Sequence, residues 1–216
     1  MKLKVLKLLS LSMLLLGTMF MLLHAKNNYW GRTRQQLFTM YPTLAKIEIN
    51  NDDFTAYNAD EYDRFITTAE NALHPSTLSE IRLLIPTIGM ETQVYKGNSE
   101  KALKEGIWFY NQSGLPDEKN ANVCIAGHRD VYGAEFYSID KLTSGDTIIL
   151  EYKNNRYVYN YESTTIVESD DGSILQQTNS PCITIVSCHP IGTSQKRIVV
   201  RGLLETILVK DTNKIL

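Results

Sequence analysis

The feature that most constrains this sequence is a change of period at Ile81. From there to Gly202 the apolar residues alternate or run in short β-branched blocks, punctuated by Gly, Pro, Asn and Asp. Strand-like runs cover Ile81–Ile88, Val94–Tyr95, Asn122–His128, Asp146–Tyr152, Arg156–Tyr161, Thr164–Val167 and Cys182–Cys188, with a return to strand at Arg197. Gly145-Asp146 and Asn154-Asn155 are hairpin signals. Short strands at this spacing argue for a barrel or a sandwich. Helical spacing is confined to Ala59–Leu73, with Tyr62, Phe65, Ile66, Ala69 and Ala72 on one stripe, and to a short helix over Ser99–Glu105 with Ser99 as N-cap.

The stretch Pro181–Gly202 reads as strand, loop, strand. Its first run stops at His189-Pro190, which leaves Cys188 at a strand end. The loop carries Pro, Gly, Thr and Ser, and the chain re-enters a strand at Arg197. A thiol becomes a good nucleophile when a base takes its proton or a cation favours its thiolate, and this layout sets a guanidinium beside a thiol. The bland reading of any one cysteine is a small buried hydrophobe. In Asn122–His128 alternation puts Cys124, Ala126 and His128 on one face and Val123, Ile125 and Gly127 on the other, so a histidine also ends a strand. A lone strand-end histidine is commonly structural, and the case for chemistry rests on the three residues together. Arg201 competes with Arg197, since both share a face with Val199; nearness to the Cys188 loop selects Arg197. His189 is adjacent to Cys188 and so points to the opposite face, as a loop residue.

The N-terminus sets the compartment. Lys2, Lys4 and Lys7 precede Leu8–Leu23, sixteen residues without a charge. At ~1.5 Å per residue these span roughly 24 Å, enough to cross a bilayer with flanking lysines snorkelling. Leu23-His24-Ala25 is a poor signal-peptidase site, so an uncleaved anchor is preferred over a cleaved signal peptide, with the lysines cytoplasmic and the bulk outside. Without those three lysines, 19 Lys+Arg face 24 Asp+Glu, a net charge of −5, and nothing suggests nucleic-acid binding. Of three cysteines, Cys182 and Cys188 lie too far apart on one strand to bridge; a Cys124–Cys182 pair stays open against the simpler reading of two buried thiols. The expected organisation is an anchor at 1–25, an extracellular stalk at 26–56, a β-domain at 57–207 and a tail at 208–216.

With His128, Cys188 and Arg197 in that order in a small exported β-domain, the sequence resembles the sortases, membrane-anchored cysteine transpeptidases of Gram-positive bacteria. The resemblance runs from about residue 80 to 203. It is carried by Leu84-Ile-Pro-Thr-Ile, Lys104-Glu-Gly-Ile-Trp-Phe-Tyr, Leu115-Pro, Ala126-Gly-His-Arg, Leu142-Thr-Ser-Gly-Asp-Thr, Thr184-Ile-Val-Ser-Cys and Arg197-Ile-Val-Val-Arg-Gly. Ile185 and Ser187 are conservative departures from the family's Thr-Leu-x-Thr-Cys signature. The resemblance implies a closed eight-stranded β-barrel behind an N-terminal transmembrane helix. It implies that Cys188 attacks the threonine carbonyl of a Leu-Pro-x-Thr-Gly-type signal on surface proteins and carries the acyl group as a thioester. His128 would be the general acid and base, and Arg197 the substrate or oxyanion stabiliser. The implied acceptor is an amine of a cell-wall peptide or lipid II. No cofactor is implied, and the Asp170-Asp171 turn is read as solvated rather than as a metal site. The chain is more similar to classes A, D and E than to the pilus-building class C, with class D first. Two other classes compete. An L,D-transpeptidase-like acyltransferase or hydrolase would want a Ser-His-Gly-Cys cluster, which Ser187-Cys188-His189 lacks. A non-catalytic anchored domain that binds wall polymer would not depend on Cys188.

Overall fold

The computed structural model describes residues 51–52, 54–59, 61, 81–96, 104, 106–110, 112–153 and 155–210. Nine strands follow in order: β1 Phe54–Tyr57, β2 Ile81–Ile85, β3 Met90–Lys96, β4 Ile107–Phe109, β5 Asn122–Ala126, β6 Thr147–Tyr152, β7 Asn155–Glu168, β8 Cys182–His189 and β9 Lys196–Lys210. They form one sheet in the order β1-β9-β7-β6-β2-β3-β4-β5-β8, and the pairing of β8 with β9 closes it. Eight strands thus make a ring, and β1 stands outside it. One edge of β9 serves twice, pairing β8 over Lys196–Leu203 and β1 over Ile207–Lys210. The anticipated mainly-β closed barrel of eight strands is what forms.

Period two decides what lies inside. Ile81, Leu83 and Ile85 of β2, Val123 and Ile125 of β5, Ile148 and Leu150 of β6, Ile183 and Ile185 of β8, and Ile198 and Val200 of β9 join one core. Burying each such side chain contributes about 1.5–3 kcal/mol, so the inner face dominates the stability of the ring. Arg82, between two of these residues, faces outward and ion-pairs with Glu91 and Glu151.

Local chemistry sets the strand ends. The run expected to reach Ile88 stops at Ile85, because Pro86 opens a 3-10 turn and Gly89, at φ 58°, closes it by returning its N–H to the Pro86 carbonyl. The expected hairpin at Gly145-Asp146 is instead a turn that joins the 3-10 turn Ile139–Lys141 to β6, whose partners are β2 and β7; Gly145 takes φ 96° and Asp146 accepts the Thr143 N–H at 2.7 Å. Two strands expected over Arg156–Tyr161 and Thr164–Val167 are one long β7, bent by register shifts at Val158/Tyr159 and Tyr161/Ser163. Bulges of this kind bend a strand without ending it. The last strand runs well past Gly202 because β7 and β1 supply partners as far as Leu208 and Lys210. The sheet therefore extends beyond the 57–207 span at both ends.

Of the expected helix over Ala59–Leu73, only Ala59 and Glu61 are described, both helical. Asn58 caps them reciprocally: its side chain accepts the Glu61 N–H at 2.9 Å, and Glu61 accepts the Asn58 N–H at 3.1 Å. Of the Ser99–Glu105 helix only Lys104 is described, and it is helical. The anchor Leu8–Leu23 lies outside the described residues, among which no helix is long and apolar enough to cross a membrane.

Candidate active site

Cys188 is on β8, and its cross-strand partner on β9 is Arg197. Arg201 pairs instead with Thr184, one full side-chain repeat and more down the strand. The antiparallel register, which alternation could not supply, separates the two arginines. On its other side β8 pairs with β5 in parallel, Asn122 with Cys182 through Ala126 with Val186. Continuing that register by two residues brings His128 level with Cys188. The continuation is bonded: Gly127 N–H reaches the Val186 carbonyl at 3.2 Å, and Ser187 Oγ donates to the Gly127 carbonyl at 2.8 Å. His128, two residues past the end of β5, thus joins the cross-strand partners Cys188 and Arg197 in one row, on lines of chain about 4.8 Å apart.

The row lies on the barrel's outer face, in line with Ala126, Val186 and Val199. These residues, with Ile174 and the partly buried Trp108, Tyr110, Val167 and Leu175, make a second apolar cluster separate from the core. Cys188 and His128 are half-buried at its end. The cluster lies beside the Cys188 thiol, with Trp108, Tyr110, Val167 and Leu175 partly buried around it. Its lid is the β7–β8 loop, where Asp171 caps the 3-10 turn Gly172–Leu175 by accepting the Ser173 N–H at 2.9 Å. This loop is tied to the barrel by Asn122, whose Nδ2 donates to the carbonyls of Ile174 (2.9 Å) and Gln176 (2.8 Å). Asn122 Oδ1 accepts from Thr184 Oγ1 at 2.7 Å.

Arg197 is anchored by its own loop. Among the described residues its bonds run through Nη1, to the carbonyls of Ser194 (2.9 Å) and Lys196 (3.0 Å), so Nε and Nη2 keep their donors. His128 sits between two aromatic rings, Trp108 at 5.6 Å and Tyr132 at 4.9 Å between centroids, both tilted. Burial holds the Tyr110 phenol above its ordinary pKa, opposed by Arg197 and reinforced by Cys124 and Cys188, which places that ring near both members of the β8–β9 pair. Burial likewise raises the Glu135 carboxyl, and His128 opposes it. The remaining thiols are free and buried: Cys124 is pushed up to about 12, mainly by burial, and Cys182 is raised for the same reason. His189, expected as a loop residue, is instead the last residue of β8, paired with Lys196 because β9 continues opposite it, and its Nδ1 is buried without a hydrogen-bond partner among the described residues.

Gly127 explains how the histidine reaches its place. A Cβ there would lie 2.5 Å from Ile107 and 2.6 and 2.7 Å from Phe136, so only glycine lets the end of β5 pass this close to the core. Trp108, Tyr110, Arg129 and Glu135 were not singled out as site residues in the sequence. The signal for Arg129 was present, since alternation carried past Gly127 and His128 turns residue 129 inward. Glu135 follows a turn with positive φ at Tyr132 and Ala134, and no local pattern announces its approach to His128.

A sortase-domain family model matches residues 83–205. Among curated proteins, the chain is similar to Sortase SrtE2 of Streptomyces coelicolor, 33% identical over 150 residues that cover 61% of this chain and 54% of that protein. It is also similar to Sortase D of Bacillus subtilis, 31% identical over 124 residues that cover 56% of this chain and 61% of that protein. The chain therefore spans less than two thirds of either relative. The crystal structure of Sortase E1 from Streptomyces coelicolor, with a tripeptide in its active site, aligns at TM-score 0.55 and 28% identity over 60% of this chain and 90% of that one. Sortase C of Streptococcus pneumoniae shares the fold at TM-score 0.56 and 22% identity, over 79% of this chain and 96% of that one.

Proposed function

The chain belongs to the sortase family, and from that premise we propose that it is a membrane-anchored cysteine transpeptidase cutting Leu-Pro-x-Thr-Gly-type signals between Thr and Gly. The observation that supports the reading is that Cys188 and Arg197 are cross-strand partners, while the β5–β8 register, continued two residues past Ala126, brings His128 level with Cys188. The Cys188 thiol gives its proton to His128, and its sulfur attacks the threonine carbonyl carbon. Arg197, through Nε and Nη2, stabilises the oxygen that takes up the negative charge. When the tetrahedral species collapses the C–N bond breaks, and the glycine nitrogen leaves with a proton from His128. The acyl group remains as a thioester. An incoming amine then attacks that carbonyl and gives a proton to His128, and the C–S bond breaks to restore Cys188.

The apolar outer-face cluster supports a substrate with Leu and Pro ahead of the scissile bond through its partly buried rim, Trp108, Tyr110, Val167 and Leu175, since Ile174, Val186 and Val199 are already packed under it. The acceptor is an amine of a cell-wall peptide or of lipid II. Residues 8–25 anchor the chain as a single span, with the catalytic domain outside the cell. Class D remains the reading, supported by the likeness to Sortase D, while the similar likeness to SrtE2 makes class E its rival. A panel of signals differing at x and just before Leu separates them.

Mass spectrometry of a signal peptide incubated with enzyme, with and without a glycine-based or diaminopimelate-like amine, tests the reaction. Cleavage between Thr and Gly, with a transfer product that rises with amine concentration, is expected. Cleavage elsewhere, or a hydrolysed product indifferent to the amine, would defeat the proposal. Cys188→Ala should leave the fold intact and abolish both products.

A further inference from the structure

Arg129 is the most deeply buried charge among the described residues, 2% exposed, and the reaction above does not use it. An arginine stays protonated, so burying it without partners would be prohibitive. Its fork is filled. Nε donates to the Tyr137 carbonyl at 3.0 Å, Nη1 to the Cys188 carbonyl at 3.4 Å, and Nη2 pairs with Asp140 Oδ1 at 2.8 Å. Two separate pieces of chain, Tyr137–Asp140 and the end of β8, meet on one guanidinium, and the second offers the nucleophile's own peptide group.

The location gives this contact its meaning. The β5–β8 ladder ends at Ala126 and Val186, two residues short of His128 and Cys188. Gly127 N–H to the Val186 carbonyl and Ser187 Oγ to the Gly127 carbonyl extend it by one step. Arg129 extends it to the level of the sulfur, from a residue joined to His128 by a single peptide bond. The Cys188 carbonyl orientation is tied to the backbone torsions that aim its Cα–Cβ bond, so a donor fixed on that oxygen fixes the thiol relative to the imidazole. Asp140, on the 3-10 turn Ile139–Lys141, holds the far side of the fork and keeps it from swinging away.

We propose that Arg129 is a positioning residue that locks the Cys188 end of β8 to the His128 segment, so that thiol and imidazole keep reactive alignment without Arg129 touching the substrate. The inference rests on the transpeptidase reading. Lysine at 129 keeps the charge but offers a single point donor, which cannot serve three acceptors in a plane. Small misalignments of reacting groups cost up to about a hundredfold in rate.

The test is single-turnover acylation and steady-state kinetics of Arg129→Lys, run well below its melting temperature, beside the wild type. Acylation and kcat are expected to fall about ten- to a hundredfold while KM for the peptide stays within twofold. A kcat within twofold of wild type, or a loss expressed in KM, overturns the proposal. Should Arg129→Lys fail to fold, Asp140→Asn decides: it leaves the guanidinium on the Cys188 carbonyl but releases its far side. A kcat several-fold lower at constant KM is expected, and an unchanged kcat overturns the proposal. A wild-type enzyme that forms no acyl-enzyme at all would instead remove the transpeptidase reading, independently of either variant.

Discussion

At the scale of single residues, burial separates the thiols. Cys124 and Cys182 are fully buried and their pKa values are raised by that burial, Cys124 to about 12, so both stay protonated and shielded at neutral pH. Iodoacetamide should label one thiol in the native protein, at Cys188, and three after unfolding; peptide mapping reads the site. Rapid native labelling at Cys124 would mean that the outer face opens. Arginine geometry makes a second prediction. Arg197→Lys should cost about a hundredfold in kcat/KM, the usual scale for removing one oxyanion donor, whereas Arg201→Lys, opposite Thr184, should cost a few-fold at most. Glu135 adds a pH dependence. Its folded pKa is raised by burial, so its contribution to stability is fully present below the unfolded glutamate value and is lost as pH rises through the folded value. Glu135→Gln should therefore gain in melting temperature relative to wild type as pH climbs through that window, and a difference independent of pH would contradict it.

At the scale of elements, the β7–β8 loop is held to the barrel at Asn122, whose backbone N–H also donates to the Gln177 side chain at 2.8 Å. Asn122 is fully buried and satisfies the Ile174 and Gln176 carbonyls and the Thr184 hydroxyl together. Asn122→Ala strands the Gln176 carbonyl, removes the Thr184 hydroxyl's acceptor and leaves the Ile174 carbonyl only the Cys124 thiol, at about 1–3 kcal/mol for each group left unsatisfied. It also frees the turn that carries Ile174 and Leu175 into the outer-face apolar cluster. The expected signature is a severalfold higher KM for the signal peptide with a smaller change in kcat, the reverse of the Arg129 pattern. A change confined to kcat would show that the loop does not grip substrate.

At the scale of the whole molecule, closure matters more than strand number. The ring is complete through β8–β9, and β1 adds four cross-strand pairs outside it, with Arg156 over the Phe54 ring at 4.4 Å. At about 0.2–1 kcal/mol per pair, removing residues 1–57 should lower the melting temperature by roughly 5 °C while leaving the barrel's circular dichroism and Cys188 acylation in place. Loss of the folded state would mean that β1 is part of the barrel's closure.

What the sequence determined by itself is local. Period-two runs set which residues face the core and proline and glycine set where strands stop, so Cys188 was legible near a strand end, while the strand that alternation carried to His128 stops at Ala126 and leaves the histidine two residues beyond it. The bulged β7 was less legible, because a register shift looks like a turn until a partner strand spans it. The tertiary structure decided what alternation leaves degenerate. Arg197, Val199 and Arg201 share a face, and only the β8–β9 register says which one faces the thiol. β5 and β8 are neighbours with β6 and β7 between them in the chain, so the level of His128 with Cys188 has no local signal. The same holds for Gly127, needed because Ile107 and Phe136 crowd it, and for Arg129, whose three acceptors come from two separate segments, Tyr137–Asp140 and the end of β8. Facing is set by neighbours along the chain, and register by partners across the sheet.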